Sequence, residues 1–220
     1  MNSDTTRLRA IIIVGHSNAG KSILCNHLVK NDRRISFSRS ATTRPMRSNE
    51  KPSQDYLHLS KKQFEEFIKK DMFIEYDLQN TSHYYGTLKN EVQRINHQNH
   101  TALFDVNPNG ANKLLEYFGN SSIGIFVTVP GNTLEEKQEV LRKRALDSVV
   151  KDDFERRLAR VQDELRWAEQ KKIDHWIIND DLNKSCQHLL DIVAHAKRQL
   201  RNPQPSPYSH IAATGGTLRD

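Results

Sequence analysis

The segment that most constrains the fold of this chain lies near its start, where an apolar run leads directly into a glycine-containing loop. The run covers residues 11–14, and the loop then reads Gly15, His16, Ser17, Asn18, Ala19, Gly20, Lys21 and Ser22. A buried strand, a flexible turn and a helix in this order form a loop whose backbone N–H groups surround an anion. In such loops the lysine reaches the β- and γ-phosphates, and the hydroxyl that follows it ligates Mg²⁺. The sequence therefore predicts that this loop binds a nucleoside triphosphate.

Short apolar runs alternate with amphipathic stretches along the rest of the chain. Strands are expected at residues 10–14, 102–106, 123–129 and 175–178, and helices at 21–30, 110–118, 134–144 and 182–201. Continuous apolar strands are typical of a parallel sheet covered by helices on both faces. The pattern predicts an α/β protein with a three-layer P-loop core.

Two stretches interrupt this alternation. Residues 36–98 contain shorter, more polar strands and a helix that Ser60 and Gln63 open as a capping box, and we interpret them as an inserted α+β substrate-binding lobe. Residues 134–170 are highly charged and helical, typical either of a lid with its supporting helix or of a solvated helix without a role. The core then comprises residues 1–35, 99–133 and 171–201, and a tail at 202–220 is expected to be disordered.

Composition narrows the environment and the partners. Lysine and arginine number 33 against 27 acidic residues, and the net charge of +6 is spread along the chain, which gives only weak support to nucleic-acid binding. Cys25 and Cys186 are isolated, so we expect neither a disulfide framework nor a metal site. We see no apolar run of membrane-spanning length and no export signal in residues 1–10, and expect a cytoplasmic protein without a membrane partner.

The phosphate loop, followed by Asn26, also resembles the loop of ribosome-associated GTPases. Such a switch protein needs Asp-x-x-Gly after a core strand and Asn-Lys-x-Asp to read guanine. Asp105 ends a core strand, but Pro108 stands where the glycine would be. The Asn-Lys pairs at 112–113 and 183–184 lack the base-reading aspartate. The sequence therefore disfavours a GTPase.

A series of spaced motifs in and beyond the inserted lobe indicates a different family. The motifs are Ser-Ala-Thr-Thr-Arg-Pro-Met-Arg at 40–47, Glu50, Asp-Tyr at 55–56, Phe-Ile-Glu-Tyr at 73–76, Tyr-Tyr-Gly-Thr at 84–87, the arginines of 144–157, and Ile-Ile-Asn-Asp-Asp-Leu at 177–182. In order and spacing they resemble the guanylate kinases, over about residues 8–195. The resemblance implies a P-loop kinase with a GMP-binding lobe and a lid, which uses Mg²⁺ to transfer phosphate from ATP to GMP or dGMP.

Several residues match positions that hold the acceptor in that family. Arg44, Arg47, Tyr56 and Tyr85 match the groups that bind the GMP phosphate, and arginine forks suit phosphate oxygens. Glu75 matches the carboxylate that reads guanine, and Ser40 and Thr87 match hydroxyls beside it. A carboxylate accepts from N1–H and the exocyclic amine of guanine, whereas adenine would leave its charge unpaired. Glu75 is thus expected to determine base specificity.

The remaining matches concern the donor, the metal and the lid. Asp105 matches the acidic residue that holds Mg²⁺ through water, and Ser22 would ligate the ion directly. Arg144 and Arg157 match lid arginines that, with Lys21 and Arg44, would neutralise the transferring phosphoryl group, and Asn179 matches the contact to adenine.

The chain also departs from the family at several positions. Asn107 stands where another aspartate is usual, so an amide replaces a charge near guanine. His16 and Asn18 replace a proline and a glycine of the loop; asparagine tolerates positive φ, and His16 is expected to be structural or solvent-facing. The lid is longer after Arg144, and Val140 replaces a further arginine, so a lower turnover is expected.

Two other functions stay open on the sequence. A kinase retuned to another nucleoside monophosphate would fit the change at Asn107. A non-catalytic guanylate-kinase-like module would fit the lobe, although the intact Gly20, Lys21 and Ser22 argue against it. The sequence does not report an oligomeric state.

Overall fold

The structure is a computed structural model that describes residues 7–47, 50, 56–79, 82–146, 154–171 and 173–201. Within these residues the strands are β1 (Ala10–Gly15), β2 (Ile35–Phe37), β3 (Ser40–Thr42), β4 (Tyr56–His58), β5 (Phe73–Gln79), β6 (His83–Leu88), β7 (Thr101–Asp105), β8 (Ser122–Thr128) and β9 (His175–Ile178). The helices are α1 (Lys21–Asn31), α2 (Lys61–Lys69), α3 (Lys89–His97), α4 (Pro108–Phe118), α5 (Leu134–Leu146), α6 (Phe154–Ala159), α7 (Val161–Gln170) and α8 (Leu182–Arg201).

The larger sheet is parallel and has the strand order β2-β7-β1-β8-β9. Each strand and helix predicted for the core lies within two residues of its expected bounds. β1 runs through the middle, where Ile12 pairs with Phe104 on one side and Gly124 on the other. The carboxyl ends of β1, β7 and β8 meet at one edge, which is where ligands bind in open α/β sheets.

The two faces of this sheet each bury a separate apolar cluster, because alternate residues of a strand point to opposite faces. Ile11 and Ile13 join a cluster with Leu24 of α1 and Leu189 of α8. On the opposite face Ala10, Ile12 and Val14 pack with residues of α3 and α4, among them Val92, Ile95, Ala111 and Leu114. Helices on both faces of a parallel sheet make three layers, as the sequence predicted.

The smaller sheet has the strand order β4-β3-β6-β5 and carries α2 on one side. Phe64 of α2 is fully buried and stacks on Phe73 and Tyr84, with ring centroids 4.4 Å and 5.0 Å apart. The predicted capping box at the start of α2 is confirmed, since the Ser60 side chain accepts from the Gln63 backbone and the Gln63 side chain accepts from that of Ser60.

The elements of the smaller sheet cover a shorter stretch of the sequence than the lobe expected at residues 36–98. Ser36 and Phe37 belong to β2, which pairs with β7 in the larger sheet. At the other end, α3 packs its Val92 and Ile95 into the core. The strands of the smaller sheet and α2 thus run from Ser40 to Leu88, and β5 also contacts α4 of the core.

Helices α5, α6 and α7 pack against one another, and α7 also contacts α4. The helical region expected at 134–170 is therefore present, although its segment 147–153 lies outside the described residues, as does the tail at 202–220. Among the helices that the structure describes, none combines the length and the apolar character that crossing a bilayer requires.

Candidate active site

The loop between β1 and α1 has a backbone that few side chains permit. Gly15 adopts φ +145°, and a Cβ atom on it would lie 2.0 Å from the carbonyl oxygen of Val127. Gly20 adopts φ +93°, and its missing Cβ leaves space for the side-chain amide of Asn179. Asn18 adopts φ 63°, a left-handed conformation that asparagine tolerates. Asparagine thus supplies a positive φ at a position where the family resemblance places glycine.

Lys21 begins α1 and folds back over this loop. Its ammonium donates to the carbonyl oxygens of Gly15 at 2.8 Å and His16 at 3.0 Å, and its Nζ lies 3.9 Å from Oδ1 of Asp105. A positive charge is thereby fixed above the turn, beside the helix N-terminus whose free N–H groups favour an anion.

Asp105 ends β7 opposite the loop and is the acidic partner of Ser22. Burial raises the pKa of the Asp105 carboxyl, while the charge of Lys21 and a hydrogen bond from Ser22 act to lower it. A hydroxyl and a carboxylate are oxygen donors of the kind that Mg²⁺ prefers. Across the described part of the chain, no three or more His, Cys, Asp or Glu side chains gather in a metal-binding group. A metal held here would therefore depend on this oxygen pair and on the phosphates of the ligand.

His16 is completely buried beneath the loop. Its Nδ1 lies 2.6 Å from Oε2 of Glu164 on α7, and its ring meets Phe126 edge-on with centroids 5.3 Å apart. The expectation that His16 is structural fits this environment, whereas a solvent-facing orientation does not, because Glu164 and Phe126 cover the ring. His16 thus joins the phosphate loop to α7.

Asn179 follows β9 and supports the loop from the side. Its amide donates to the carbonyl oxygen of Ala19 at 2.7 Å. Arg144 of α5 donates in turn to the Asn179 carbonyl oxygen, also at 2.7 Å. The contact of Asn179 with adenine and the action of Arg144 on a phosphoryl group stay predictions, since here both residues bond to backbone groups.

Glu75 lies on β5 and faces the same space as the loop. It is 6% exposed, and its Oε1 accepts from the Thr87 hydroxyl at 2.6 Å. A Cβ atom on Gly110 would lie 2.9 Å from Oε2, so the glycine in α4 makes room for the carboxylate. Burial raises the pKa of Glu75, the hydrogen bond from Thr87 and the charge of Lys113 act to lower it, and the charge of Asp77 acts to raise it. A buried carboxylate of this kind lowers the stability of the free protein, and it can accept hydrogen bonds from a ligand.

Arg44 lies at the edge of the lobe within a network of polar side chains. Its guanidinium donates to the Tyr85 hydroxyl at 3.1 Å and to Glu50, and lies 5.4 Å above the Tyr56 ring. Burial acts to raise the pKa of Glu50, but hydrogen bonds from Arg44 and the Arg47 backbone lower it. Glu50, quoted in the sequence only as part of a motif, is thus the ion-pair partner of a predicted phosphate-binding arginine.

Asn107 lies between β7 and α4 and has two roles at once. Its side-chain oxygen caps α4 by accepting from the Gly110 backbone at 2.9 Å. Its amide donates to Oδ2 of Asp77 on β5 at 2.7 Å. The amide at position 107 therefore lies directly beside a carboxylate that the sequence did not single out.

Part of this set of residues lines a cavity of about 330 Å³ at the carboxyl edge of the larger sheet. Its lining includes ten of the residues predicted for the site, namely Gly15, Ser17, Lys21, Ser40, Tyr56, Glu75, Tyr85, Asp105, Asn107 and Arg157. Predicted residues that do not line it are His16, Asn18, Ala19, Gly20, Ser22, Arg44, Arg47, Thr87, Arg144 and Asn179. The structure thus brings the phosphate loop and the predicted base-reading carboxylate to one space.

Three charged residues of the lining were missed from the sequence. Arg160 follows Arg157 at helical spacing and could have been found from that repeat. Asp77 follows Glu75 at strand spacing, so the alternation of side chains along β5 could have indicated it. Glu164 has no comparable signal, because its partner His16 lies 148 residues away in the sequence.

The chain is similar to known proteins over most of its length. The family model described as guanylate kinase matches residues 7–196. A guanylate kinase of Bacteroides fragilis is 33% identical over 189 residues, which cover 86% of this chain and 90% of that protein. A guanylate kinase of Porphyromonas gingivalis is 33% identical over 188 residues, covering 84% of this chain and 96% of that protein.

A solved structure carries the same fold. The crystal structure of guanylate kinase from Anaplasma phagocytophilum superimposes with a TM-score of 0.66 at 21% identity, and the match covers 87% of each chain. That likeness concerns the fold alone. Since the family model and the curated relatives both span most of the sequence, the chain belongs to the guanylate kinase family.

Proposed function

We propose that this protein is a Mg²⁺-dependent kinase that transfers the γ-phosphoryl group of ATP to GMP or dGMP, giving ADP and GDP or dGDP. The observation that carries the proposal is the shared cavity: Lys21 of the phosphate loop lines one part of it and Glu75 another. A phosphoryl transfer needs two ligands in one water-poor space, and a cavity with an anion site and a base-reading carboxylate suits both.

The donor end of the cavity is suited to the triphosphate. The N–H groups of the loop and the Lys21 ammonium would bind the β- and γ-phosphates. Ser22 and Asp105 would hold Mg²⁺, which when bound neutralises charge on the phosphates. In the transfer, the bond from the γ-phosphorus to the bridging oxygen breaks, ADP leaves with that electron pair, and a GMP phosphate oxygen forms the new bond.

The acceptor end would bind the monophosphate through Arg44, Arg47, Tyr56 and Tyr85. The bond between Arg44 and Tyr85 supports this assignment, because it holds a guanidinium beside a phenol that lines the cavity. Burial and the nearby Asp105 raise the pKa of Tyr56, so its hydroxyl stays protonated and available to donate. The attacking phosphate oxygen is already anionic, so no general base is required.

Glu75 would read the base, with Thr87 and Ser40 beside it. The Thr87 hydroxyl fixes one carboxylate oxygen, which leaves the carboxylate directed toward the cavity. Guanine presents N1–H and its amine to such an acceptor, whereas adenine presents an acceptor at N1. Unpaired buried polar groups give strong discrimination of this kind, up to roughly 10⁴–10⁵-fold.

Charges from the helical region would complete the site. Arg157 of α6 and Arg160, which lies between α6 and α7, line the cavity. Both lie in the helical region expected to form the lid and its supporting helix, so closure of that region would bring their positive charge to the transferring group. The free and buried Cys25 and Cys186 are compatible with a reducing compartment, and we propose the cytoplasm as the site of action.

The decisive experiment is ADP release from ATP and Mg²⁺ with GMP, dGMP, AMP, CMP, UMP and IMP as acceptors. We expect turnover with GMP and dGMP well above that with the other monophosphates. Turnover with a different base would favour a retuned kinase. A protein that binds GMP but releases no ADP with any acceptor would contradict the proposal and favour a binding module.

A further inference from the structure

Asp77 lies on the same face of the β5–β6 hairpin as the base-reading Glu75. Residues two apart on a strand point to the same side, so Glu75 and Asp77 share one face of β5. Across the ladder Glu75 pairs with Thr87, and Asp77 pairs with Tyr85. Glu75, Asp77 and Tyr85 all line the cavity. The hairpin therefore presents two carboxylates, side by side, to the space expected to hold the acceptor.

The hydrogen bonds of Asp77 use only part of its accepting capacity. Its Oδ2 accepts from the amide of Asn107 at 2.7 Å and from that of Asn109 at 3.5 Å. Among the residues that the structure describes, none donates a hydrogen bond to Oδ1 of Asp77. Two neutral amides hold the side chain in place without neutralising its charge.

The two carboxylates affect each other, which argues against a purely structural role for Asp77. Burial is the main cause of the raised pKa of Glu75; the Thr87 hydrogen bond and the charge of Lys113 act to lower that pKa, and the charge of Asp77 acts to raise it. Like charges beside one another in a half-buried site cost stability. That cost is offset when a ligand with several N–H donors lies against both, as the Watson–Crick edge of guanine would.

We propose that Asp77 is a second specificity residue, which accepts a hydrogen bond from the exocyclic 2-amino group of the acceptor base. This proposal rests on the proposed function, because it assigns a role within the same acceptor site. Glu75 would accept from N1–H and one amino hydrogen, and Asp77 from the other. The carboxylate that the resemblance places at position 107 would thus be supplied by β5 of the smaller sheet, and Asn107 orients it.

The acceptor that isolates this contact is IMP, whose base is guanine without the 2-amino group. Asp77→Asn keeps the shape and an oxygen that accepts from Asn107, but it removes the charge. We expect the ratio of kcat/KM for GMP to that for IMP to fall by about 10- to 150-fold, the range for one charge-assisted hydrogen bond. Glu66→Gln, an exposed substitution on α2, is the matched control and should leave the ratio unchanged.

Calorimetric binding of GMP and IMP provides a second measurement that does not depend on turnover. The wild-type protein should bind GMP more tightly than IMP, and Asp77→Asn should narrow the difference. An Asp77→Asn protein that keeps the wild-type ratio of kcat/KM, or of affinity, for GMP over IMP would overturn the proposal. A wild-type protein that binds GMP and IMP with equal affinity would also overturn it. Failure of the proposed function is a separate outcome, because the wild-type protein would then release no ADP with GMP while the binding comparison still reports on Asp77.

Discussion

Replacing Glu75 with glutamine should separate activity from stability, because the structure gives this buried carboxylate a cost in the free protein. Glu75→Gln keeps the size of the side chain and an oxygen that accepts from Thr87. It removes the charge that would accept from guanine. One charge-assisted hydrogen bond contributes about 1.5–3 kcal/mol, so kcat/KM for GMP should fall roughly 10- to 150-fold. The preference for GMP over AMP should fall with it, since the amide can also donate to adenine.

The free protein should not lose stability from the same change. Burial raises the pKa of Glu75 above its unfolded value, so the unfolded chain releases this proton first as the pH rises. The contribution of Glu75 to the free energy of unfolding therefore falls as the pH rises from the unfolded pKa through the higher folded pKa. At neutral pH the ionised Glu75 still lowers the stability of the folded protein. Glu75→Gln should unfold at the same or a higher temperature than wild type at about pH 7, and the difference should shrink toward about pH 4.

The measurements are initial rates of ADP release with GMP and AMP, and thermal unfolding without nucleotide. Glu91→Gln is the matched control for the stability measurement, because Glu91 is likewise 6% exposed but is paired with arginines. Removing its charge should lower the stability, whereas removing that of Glu75 should not. A Glu75→Gln protein that keeps the wild-type GMP:AMP ratio would show that the base is read elsewhere. A large loss of stability at neutral pH would refute the argument that the charge is held at a cost.

Further substitutions test the ion pair, the phosphate loop and the space around Glu75. Burial opposes ionisation of Glu91, but hydrogen bonds from Arg94 and Arg39 lower its pKa to about 2. Because the side chains of those arginines are 44% and 35% exposed, solvent weakens the pairing, and Glu91→Gln should lower the free energy of unfolding at pH 7 by about 2 kcal/mol in denaturant unfolding. This loss should vanish as the pH falls from about 4.5 through 2. Lys21→Ala should lower kcat by at least about 10²–10³-fold while the circular dichroism spectrum is retained, and near-normal turnover would exclude the loop from the mechanism. Gly110→Ala would place a Cβ atom 2.9 Å from Glu75 Oε2, so KM for GMP should rise more than KM for ATP, and equal changes would contradict this position for the carboxylate.

The sequence predicted the core elements well because their signals are short-range. An apolar run with a glycine after it marks β1, and a hydroxyl three residues before a glutamine marks the start of α2. Asn18 adopts the positive φ that its place in the loop requires and that asparagine tolerates. Features of this kind depend on neighbours along the chain, and the structure confirms them.

Features that depend on distant partners were harder to predict. β2 has only three residues, so its pairing with β7 has no periodicity to reveal it. The burial of His16 depends on Glu164, which lies on another helix. The use of Arg144 as a donor to the Asn179 backbone likewise follows from packing between α5 and the end of β9. Such contacts are set by tertiary structure, and the identity of the residues alone does not determine them.

The environment of Asn107 shows why comparing a sequence with a family motif one position at a time misjudges a site. Read alone, the amide at 107 suggests a lost charge and a weaker preference for guanine. In the structure that amide donates to Asp77, so a carboxylate oxygen of β5 in the smaller sheet lies 2.7 Å from Asn107 Nδ2. What a ligand meets is the set of donors and acceptors on the cavity wall, whichever strand carries them. A substitution in a binding motif therefore predicts altered specificity only after the neighbouring strands have been searched for the group that it removes.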